Sequence, residues 1–124
     1  MIDEREMLKC AYREFNDREI DAVLARMHPD VEWANGLEGG HVYGREEVRS
    51  YWLRQFGMVD PHVEPVRIEA AETGEFTVEV HQIVHDLVGN LLADTVVYHT
   101  YRIRYGLIER MDIAHENPLK DANA

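Results

Sequence analysis

Alternating apolar and polar residues dominate the second half of the chain and predict a β-sheet. Three strand-like runs cover positions 76–87, 91–105 and 107–113. The dipeptide Gly89–Asn90 separates the first two runs, and both residue types tolerate the positive φ angles of a two-residue hairpin turn. The pattern therefore predicts a long hairpin followed closely by a further strand.

The predicted hairpin register, with Val88 opposite Leu91, assigns every side chain to one of two faces. Directly opposed residues share a face of the sheet, and so do alternate residues along a strand. One face is mostly apolar but also holds Gln82, Thr95 and His99. A mixture of this kind is more typical of a cavity wall than of a solid core.

The other face of the hairpin is predicted to be the subunit interface of a homodimer. His85 lies opposite Asp94 in this register, and Ile83, Val96 and Tyr98 supply apolar contact. Two histidines four positions apart on one strand are about 13 Å apart, which is too far to share a metal ion without other ligands. No metal site is predicted.

Apolar residues recur at helical spacing through much of the first half of the chain. The spacing predicts one helix over 3–15 and a second that reaches Met27 and is ended by Pro29. A third helix follows Gly44, and its apolar stripe extends to Phe56. The amino-terminal half is therefore expected to supply helices that cover the sheet.

Two further strands are predicted at 31–35 and 66–70. The dipeptide Asp60–Pro61 reads as a turn before the second of these strands, and Pro65 indicates an edge position or a bulge. Helices followed by a run of strands are typical of an α+β fold on a curved antiparallel sheet, in contrast to alternating βαβ units.

The composition is that of a single globular domain. The chain has 124 residues, of which 45% are hydrophobic and 30% charged, and we assign 1–116 to one domain and 117–124 to a carboxyl-terminal tail. No apolar run is long enough to span a membrane, and the acidic amino terminus lacks a secretory signal pattern, so a cytoplasmic location is expected. A net charge of -11 argues against nucleic acid or an anionic membrane as a partner.

Four phrases of the sequence resemble the nuclear transport factor 2-like superfamily, which includes the SnoaL-type polyketide cyclases and ketosteroid isomerase. They are FNDREID from Phe15, MHPDVEW from Met27, GREEV from Gly44 and HTYRI from His99. The resemblance implies a cone-shaped curved sheet wrapped around three N-terminal helices and enclosing a pocket. It indicates the fold better than the reaction, because one fold can host many chemistries as well as simple binding.

The ketosteroid isomerase pattern allows one activity to be tested on the sequence. That enzyme uses a carboxylate base and an oxyanion hole built from a tyrosine and a protonated aspartic acid. The corresponding positions of this chain hold Asn35, Ala11 and His99. The ketosteroid isomerase mechanism is therefore not expected.

His99 is the leading candidate for chemistry, because histidine titrates near neutral pH and this residue lies mid-strand on the predicted cavity face. We predict His99 and Asn35 as the catalytic residues, with His99 carrying a proton and Asn35 or Gln82 orienting a carbonyl or hydroxyl group, without a cofactor. The alternative is a buried neutral histidine bonded to a backbone group or to Gln82.

The expected ligand is a small, mostly apolar organic molecule. The sequence leaves two functions open: acid–base chemistry of the isomerase, dehydratase or cyclase type, and a non-catalytic ligand-binding or protein-interaction module. Aromatic side chains at helical spacing also form ordinary cores, so they do not separate the two. Besides Gln82, the predicted ligand-binding residues are Tyr12, Trp33, Trp52, Phe56, Thr95, Val97, Tyr101, Met111 and His115.

Overall fold

The computed structural model of the protein describes residues 3–119, in which three helices pack against one curved six-stranded sheet. The predicted α+β class is confirmed. The part of the predicted tail that follows position 119 lies outside the described residues. The helices are α1 (Glu4–Asn16), α2 (Ile20–Leu24) and α3 (Arg45–Phe56). The strands are β1 (Met27–Ala34), β2 (His41–Tyr43), β3 (Val59–Ala70), β4 (Phe76–Asp86), β5 (Leu91–Arg104) and β6 (Leu107–Ala114).

The strands lie side by side in the order β2-β1-β6-β5-β4-β3. All neighbours are antiparallel except β1 and β6, which run parallel, so the expectation of a wholly antiparallel sheet is wrong at this pair. A parallel pair needs a long crossover connection, and the chain between β1 and β6 supplies one. None of the helices in the described residues is long and apolar enough to cross a membrane.

Helix α1 begins as its sequence predicts and presents an apolar face to the sheet. The Asp3 carboxylate accepts a hydrogen bond of 2.8 Å from the backbone N–H of Glu6, which satisfies one of the unpaired donors of the first turn. Leu8 is fully buried, and Ala11 and Tyr12 lie on the same face one turn later. The helical spacing of these residues therefore sets which side of α1 faces the interior.

The second predicted helix is shorter than expected. Helix α2 ends at Leu24, and Met27 and Pro29 belong to strand β1. The pairing of β1 with β6 is irregular between Met27 and Glu32, and β2 pairs with β1 only from Glu32 onward. Pro29 therefore occupies a stretch of strand that demands no hydrogen bond from its missing N–H.

The edge strands are longer or more numerous than the sequence predicts. Strand β3 begins at Val59, so Asp60 and Pro61 lie in a strand and do not form a turn. An edge strand tolerates proline because one side of its backbone has no strand partner. Pro65 lies at a register shift of this edge strand, as predicted. The short strand β2 was not predicted.

The β4–β5 hairpin turns through a wider loop than the predicted Gly89–Asn90 pair. The loop spans Leu87–Asn90, and the Asp86 carboxylate accepts hydrogen bonds of 3.0 Å and 2.9 Å from the backbone N–H groups of Val88 and Asn90. An aspartate that captures nearby backbone donors stabilises such a loop in place of the tightest turn. The predicted register is therefore wrong.

The observed register is displaced by two residues from the predicted one. His99 pairs with Val78 and Asp94 pairs with Ile83, whereas a register shift after Val84 places His85 opposite Leu91, three residues from the expected Asp94. As far as Val84, the two faces keep their predicted members, because a displacement by an even number preserves the alternation. Gln82, however, now lies farther along the sheet from His99 than the predicted register implies.

Side chains near the end of α1 cover the open edge of β3. Asn16 donates a hydrogen bond of 2.8 Å to the carbonyl of Val63 and accepts one of 3.0 Å from its N–H. Arg18 donates to the carbonyl of Pro61 at 2.8 Å. These contacts satisfy backbone groups that an edge strand would otherwise leave unpaired.

Candidate functional site

A cavity of about 200 Å³ lies between the helices and the concave face of the sheet. All three helices and five of the six strands contribute to its wall. It exceeds the ~150 Å³ apolar cavity that can hold benzene in an engineered protein. Among the described residues, no Asp, Glu, Lys or Arg lines the cavity.

Three buried polar side chains form a hydrogen-bonded chain at the cavity wall. The Tyr101 hydroxyl donates to the Tyr12 oxygen at 2.8 Å, and the Tyr12 hydroxyl lies 2.8 Å from Nδ1 of His99. His99 and Tyr101 alternate along β5 and so share its concave face, while Tyr12 reaches them from α1. The partner of the buried histidine is therefore a tyrosine, and neither a backbone group nor Gln82.

Burial keeps this group of side chains uncharged at neutral pH. Loss of hydration lowers the pKa of His99 to about 4. Burial also raises the pKa of the Tyr12 and Tyr101 hydroxyls well above the usual value for tyrosine. His99 is therefore a weak base in the folded protein, but its neutral ring remains able to donate or accept hydrogen bonds.

Aromatic side chains build the apolar part of the wall. Trp33 from β1 meets Trp52 from α3 edge to face, with ring centroids 5.5 Å apart. Phe15 also packs against Trp52, with ring centroids 5.3 Å apart. Tyr51 accepts a hydrogen bond of 3.0 Å from the backbone N–H of Gly36, and both residues line the cavity. This bond holds the loop after β1 against helix α3. This packing fixes the cavity shape.

Two glutamines add polar groups where the cavity approaches solvent. Gln55 from α3 and Gln82 from β4 line the cavity and are partly exposed, as are Val59 and Val84. Gln55 was not among the predicted site residues. The helical spacing could have indicated it, because Gln55 lies four positions after Tyr51 on the same face of α3.

Seven of the predicted site residues lie on the cavity wall. They come from α1, α3 and the concave face of the sheet, as the alternation and helical patterns indicated. These residues are Tyr12, Trp33, Trp52, Gln82, His99, Tyr101 and Met111.

Asn35, predicted as the partner of His99 in chemistry, does not line the cavity. Its Oδ1 accepts hydrogen bonds of 2.9 Å from the backbone N–H groups of Leu37 and Glu38. Asparagine often binds the backbone a few residues ahead in a turn, and Asn35 directly follows β1. Its side chain therefore holds the loop together and does not point at a ligand.

Four other predicted ligand-binding residues also lie away from the cavity wall. Phe56 packs beneath Arg18, whose guanidinium carbon lies 4.2 Å from the centroid of the Phe56 ring. Val97 is buried in the core opposite Val80. Thr95 is exposed on the outer part of the hairpin, and His115 is exposed beyond the end of β6. Alternation assigns a face, but it does not say how far along a strand the cavity extends.

The outer face of the hairpin also differs from its predicted pairing. Nε2 of His81 lies 2.6 Å from Oδ1 of Asp94, while His85 does not face that carboxylate. This contact follows from the displaced register. Across residues 3–119, no three His, Cys, Asp or Glu side chains are grouped so as to hold a metal ion.

Comparisons with known proteins give one family and a set of similar folds. The family described as the SnoaL-like domain matches residues 9–111. TerC co-crystallized with polyporic acid is 25% identical, with 91% of each chain covered and a TM-score of 0.79. No curated protein matches the chain significantly.

Two further solved structures share the fold at lower identity. An NTF2-like protein of unknown function from Burkholderia pseudomallei is 22% identical, with 94% of this chain and 92% of that chain covered and a TM-score of 0.79. A putative polyketide cyclase from Xanthomonas campestris is 20% identical, with 91% and 90% covered and a TM-score of 0.74. These likenesses concern the fold.

Proposed function

We propose that this chain, which belongs to the SnoaL-like domain family, binds one small, uncharged and mostly apolar organic molecule in its cavity. The observation that carries the proposal is the cavity wall, which is rich in aromatic and aliphatic side chains and in which the described residues include no formal charge. Burying an unpaired ion against such a wall costs roughly several kcal/mol. An apolar ligand gains about 25 cal/mol for each Å² it removes from water.

The TerC structure supports the same proposal. TerC shares the fold and a quarter of its residues with this chain, and it was co-crystallized with polyporic acid, an organic molecule. The TerC structure therefore supports the organic character of the proposed ligand, while its uncharged character rests on the cavity wall alone.

Tryptophan fluorescence offers a direct test of binding. The chain has two tryptophans, Trp33 and Trp52, and both line the cavity. We expect the neutral two-ring ketone 1-indanone to change their emission in a saturable way. The matched ions 1-aminoindane and indane-1-carboxylate should bind about tenfold more weakly or worse, because they bring a charge without a counter-charge.

Two alanine-to-leucine variants test whether 1-indanone binds in the cavity. Ala34 is buried on the cavity wall, whereas Ala70 is exposed on β3 and lies outside the wall. Ala34→Leu fills part of the cavity and should weaken 1-indanone binding, while Ala70→Leu should leave it unchanged. Equal affinity for neutral and charged compounds, or equal effects of the two variants, would contradict the proposal.

A second candidate function is cofactor-independent acid–base chemistry through His99. The buried chain that links Tyr101, Tyr12 and His99 favours it, because such a chain can orient an imidazole toward a reacting carbonyl. The lowered pKa of His99 limits its strength as a base. Exchange of the hydrogens beside the 1-indanone carbonyl in heavy water tests the idea without a known substrate.

The exchange experiment has a clear pair of outcomes. If His99 acts on the carbonyl, the protein accelerates exchange above the buffer rate and His99→Gln removes the acceleration. If the protein binds 1-indanone but exchange stays at the buffer rate, the chain acts on this compound as a binder only, and acid–base chemistry on it is excluded.

We also propose that the outer face of the sheet joins two copies of this chain. Val96 is 45% exposed there, and Ile83 and Tyr98 are half-buried beside it. Sedimentation analysis should give a dimer that Val96→Arg converts to a monomer. Val66→Arg, at a valine that is 58% exposed on the edge strand, serves as the control and should remain dimeric. A monomeric wild-type protein would contradict the proposal.

A further inference from the structure

We infer that the cavity presents one fixed hydrogen-bond donor, the Nε2–H of a neutral His99, and so selects ligands that place an acceptor oxygen, such as a ketone, against it. This inference rests on the proposed function, because it names the chemistry of the ligand for the same cavity. It also assigns Tyr12 a role as a positioning residue. The position of each proton in the buried hydrogen-bonded chain determines this role.

The hydroxyl groups fix the direction of the hydrogen bonds that link Tyr101, Tyr12 and His99. Tyr101 donates its proton to the Tyr12 oxygen, which leaves Tyr12 one proton of its own to donate. The acceptor within hydrogen-bond distance among the described residues is Nδ1 of His99, at 2.8 Å. Each donor in the chain then has one acceptor.

The opposite arrangement leaves a buried proton without an acceptor. If Nδ1 of His99 carried the proton, the Tyr12 oxygen would accept from both neighbours, and its own proton would have no partner in the described structure. Buried donors without acceptors are rare in native proteins because the lost hydration is not replaced. Nδ1 is therefore the acceptor, and a neutral ring then carries its proton on Nε2.

The second ring nitrogen is open to the cavity. Nε2 of His99 has no hydrogen-bond partner among the described residues. Every fully enclosed side-chain nitrogen or oxygen of the described residues does have a partner, so Nε2 is not fully enclosed. Open space must therefore adjoin Nε2, and His99 lines the cavity. The Tyr12 and His99 rings stack with centroids 5.9 Å apart and planes 15° apart, which restricts rotation of the imidazole.

Tyr12 is the one described residue that hydrogen-bonds to the imidazole of His99. Among residues 3–119, no carboxylate lines the cavity and could bind Nε2–H in place of a ligand. A ligand acceptor thus meets a donor that is already oriented, whereas a ligand donor meets a second donor and gains nothing. Tyr12, through Nδ1, determines this polarity.

Nuclear magnetic resonance of imidazole nitrogens tests the inference without any ligand. In protein labelled with ¹⁵N-histidine at neutral pH, the signals of His99, assigned by their loss in His99→Gln, should show a protonated Nε2 and a bare Nδ1. Tyr12→Phe should give a mixture of both tautomers. Tyr101→Phe is the matched control, since Tyr12 can still donate to His99, and it should keep the wild-type tautomer. A protonated Nδ1 in the wild-type protein would overturn the inference.

Calorimetric titration with three compounds of similar shape tests the ligand side. 1-Indanone carries an acceptor, indole carries a donor, and indane carries neither. We expect 1-indanone to bind about three- to tenfold more tightly than indane, as one net hydrogen bond provides, and indole to bind no more tightly than indane. The advantage of 1-indanone should shrink in Tyr12→Phe and persist in Tyr101→Phe.

The outcomes separate this inference from the function on which it rests. If indole binds more tightly than 1-indanone, the cavity binds organic molecules but its polarity is not as inferred. If none of the three compounds binds, the proposed function fails and the ligand preference fails with it, whatever tautomer the resonance experiment shows.

Discussion

The Tyr12 hydroxyl lies 2.8 Å from Nδ1 of His99 although 87 positions separate the two residues in the chain. Helix α1 and strand β5 supply one side chain each, so the contact forms only when the helix is seated on the sheet. The same bond therefore belongs both to the packing of the fold and to the cavity wall.

We predict that His99 makes the protein less stable at mildly acidic pH. Burial lowers the pKa of His99 to about 4 in the folded protein, while an unfolded histidine titrates at about 6.5. Between these values the unfolded chain binds the extra proton, so the stabilisation is fully present above pH 6.5 and is lost as the pH falls toward 4. Urea unfolding should show a loss of about 2 kcal/mol from this residue between pH 7 and pH 5.

The variant His99→Gln isolates this effect from the titration of carboxylates. Glutamine can still bond to Tyr12 but does not titrate, so the variant should lose less stability between the two pH values than the wild type. An identical pH dependence for both proteins would contradict the prediction.

We predict that Asn16→Ala destabilises the protein through the edge of the sheet. The substitution removes both hydrogen bonds between Asn16 and the backbone of Val63, which should cost about 1–3 kcal/mol of unfolding free energy. The exposed neighbour Asp17 provides the control, since Asp17→Ala should change stability by less than about 0.5 kcal/mol. Urea unfolding measures both, and faster amide exchange at Val63 would report the site. Equal losses would argue against the edge contact.

We predict opposite effects of alanine at the two glycines that flank α3. Gly44 has φ 84° and ψ 156°, a conformation that costs other residues about 1–3 kcal/mol, so Gly44→Ala should destabilise. Gly57 has φ -78° and ψ -11°, which alanine adopts freely, so Gly57→Ala should be neutral or stabilising by up to about 1 kcal/mol. Thermal unfolding distinguishes the two, and a loss at Gly57 as large as that at Gly44 would refute the backbone explanation.

We predict that Gln82→Leu tightens the binding of the apolar probe indane by about threefold or more, because an apolar ligand must remove water from the Gln82 amide without replacing its hydrogen bonds. Thr95→Val is the matched change on the neighbouring strand and should leave the affinity unchanged, since Thr95 is exposed and outside the cavity wall. Titration of tryptophan emission measures both. The same change in both variants would show that Gln82 does not face the ligand.

The sequence was sufficient to predict the fold class, and its resemblance to the nuclear transport factor 2-like superfamily is confirmed by the SnoaL-like match. Alternation also assigned the hairpin faces correctly as far as Val84, because each face survives a displacement of two residues. The register itself was not predicted, because it goes with a wider loop in which the Asp86 carboxylate accepts hydrogen bonds from the backbone N–H groups of Val88 and Asn90.

The site was predicted in part, for a physical reason that the residues make clear. His99 and Tyr101 could be placed on one face from their spacing, but the bond between Tyr12 and His99 depends on where α1 sits along the sheet. No local pattern encodes that distance. Asn35 illustrates the reverse case, because its position just before Gly36 is itself a turn signal that favours the loop over the cavity.

Strand β6 is among the last elements of the chain, yet it lies in the interior of the sheet between β1 and β5. During synthesis, the ribosome must therefore release residues 107–114 before the amino-terminal strands can join the hairpin. Until then the nascent polypeptide holds two separate ribbons with exposed apolar surface. Completion of the curved sheet is consequently a late event, because β1 and the hairpin are joined only through β6.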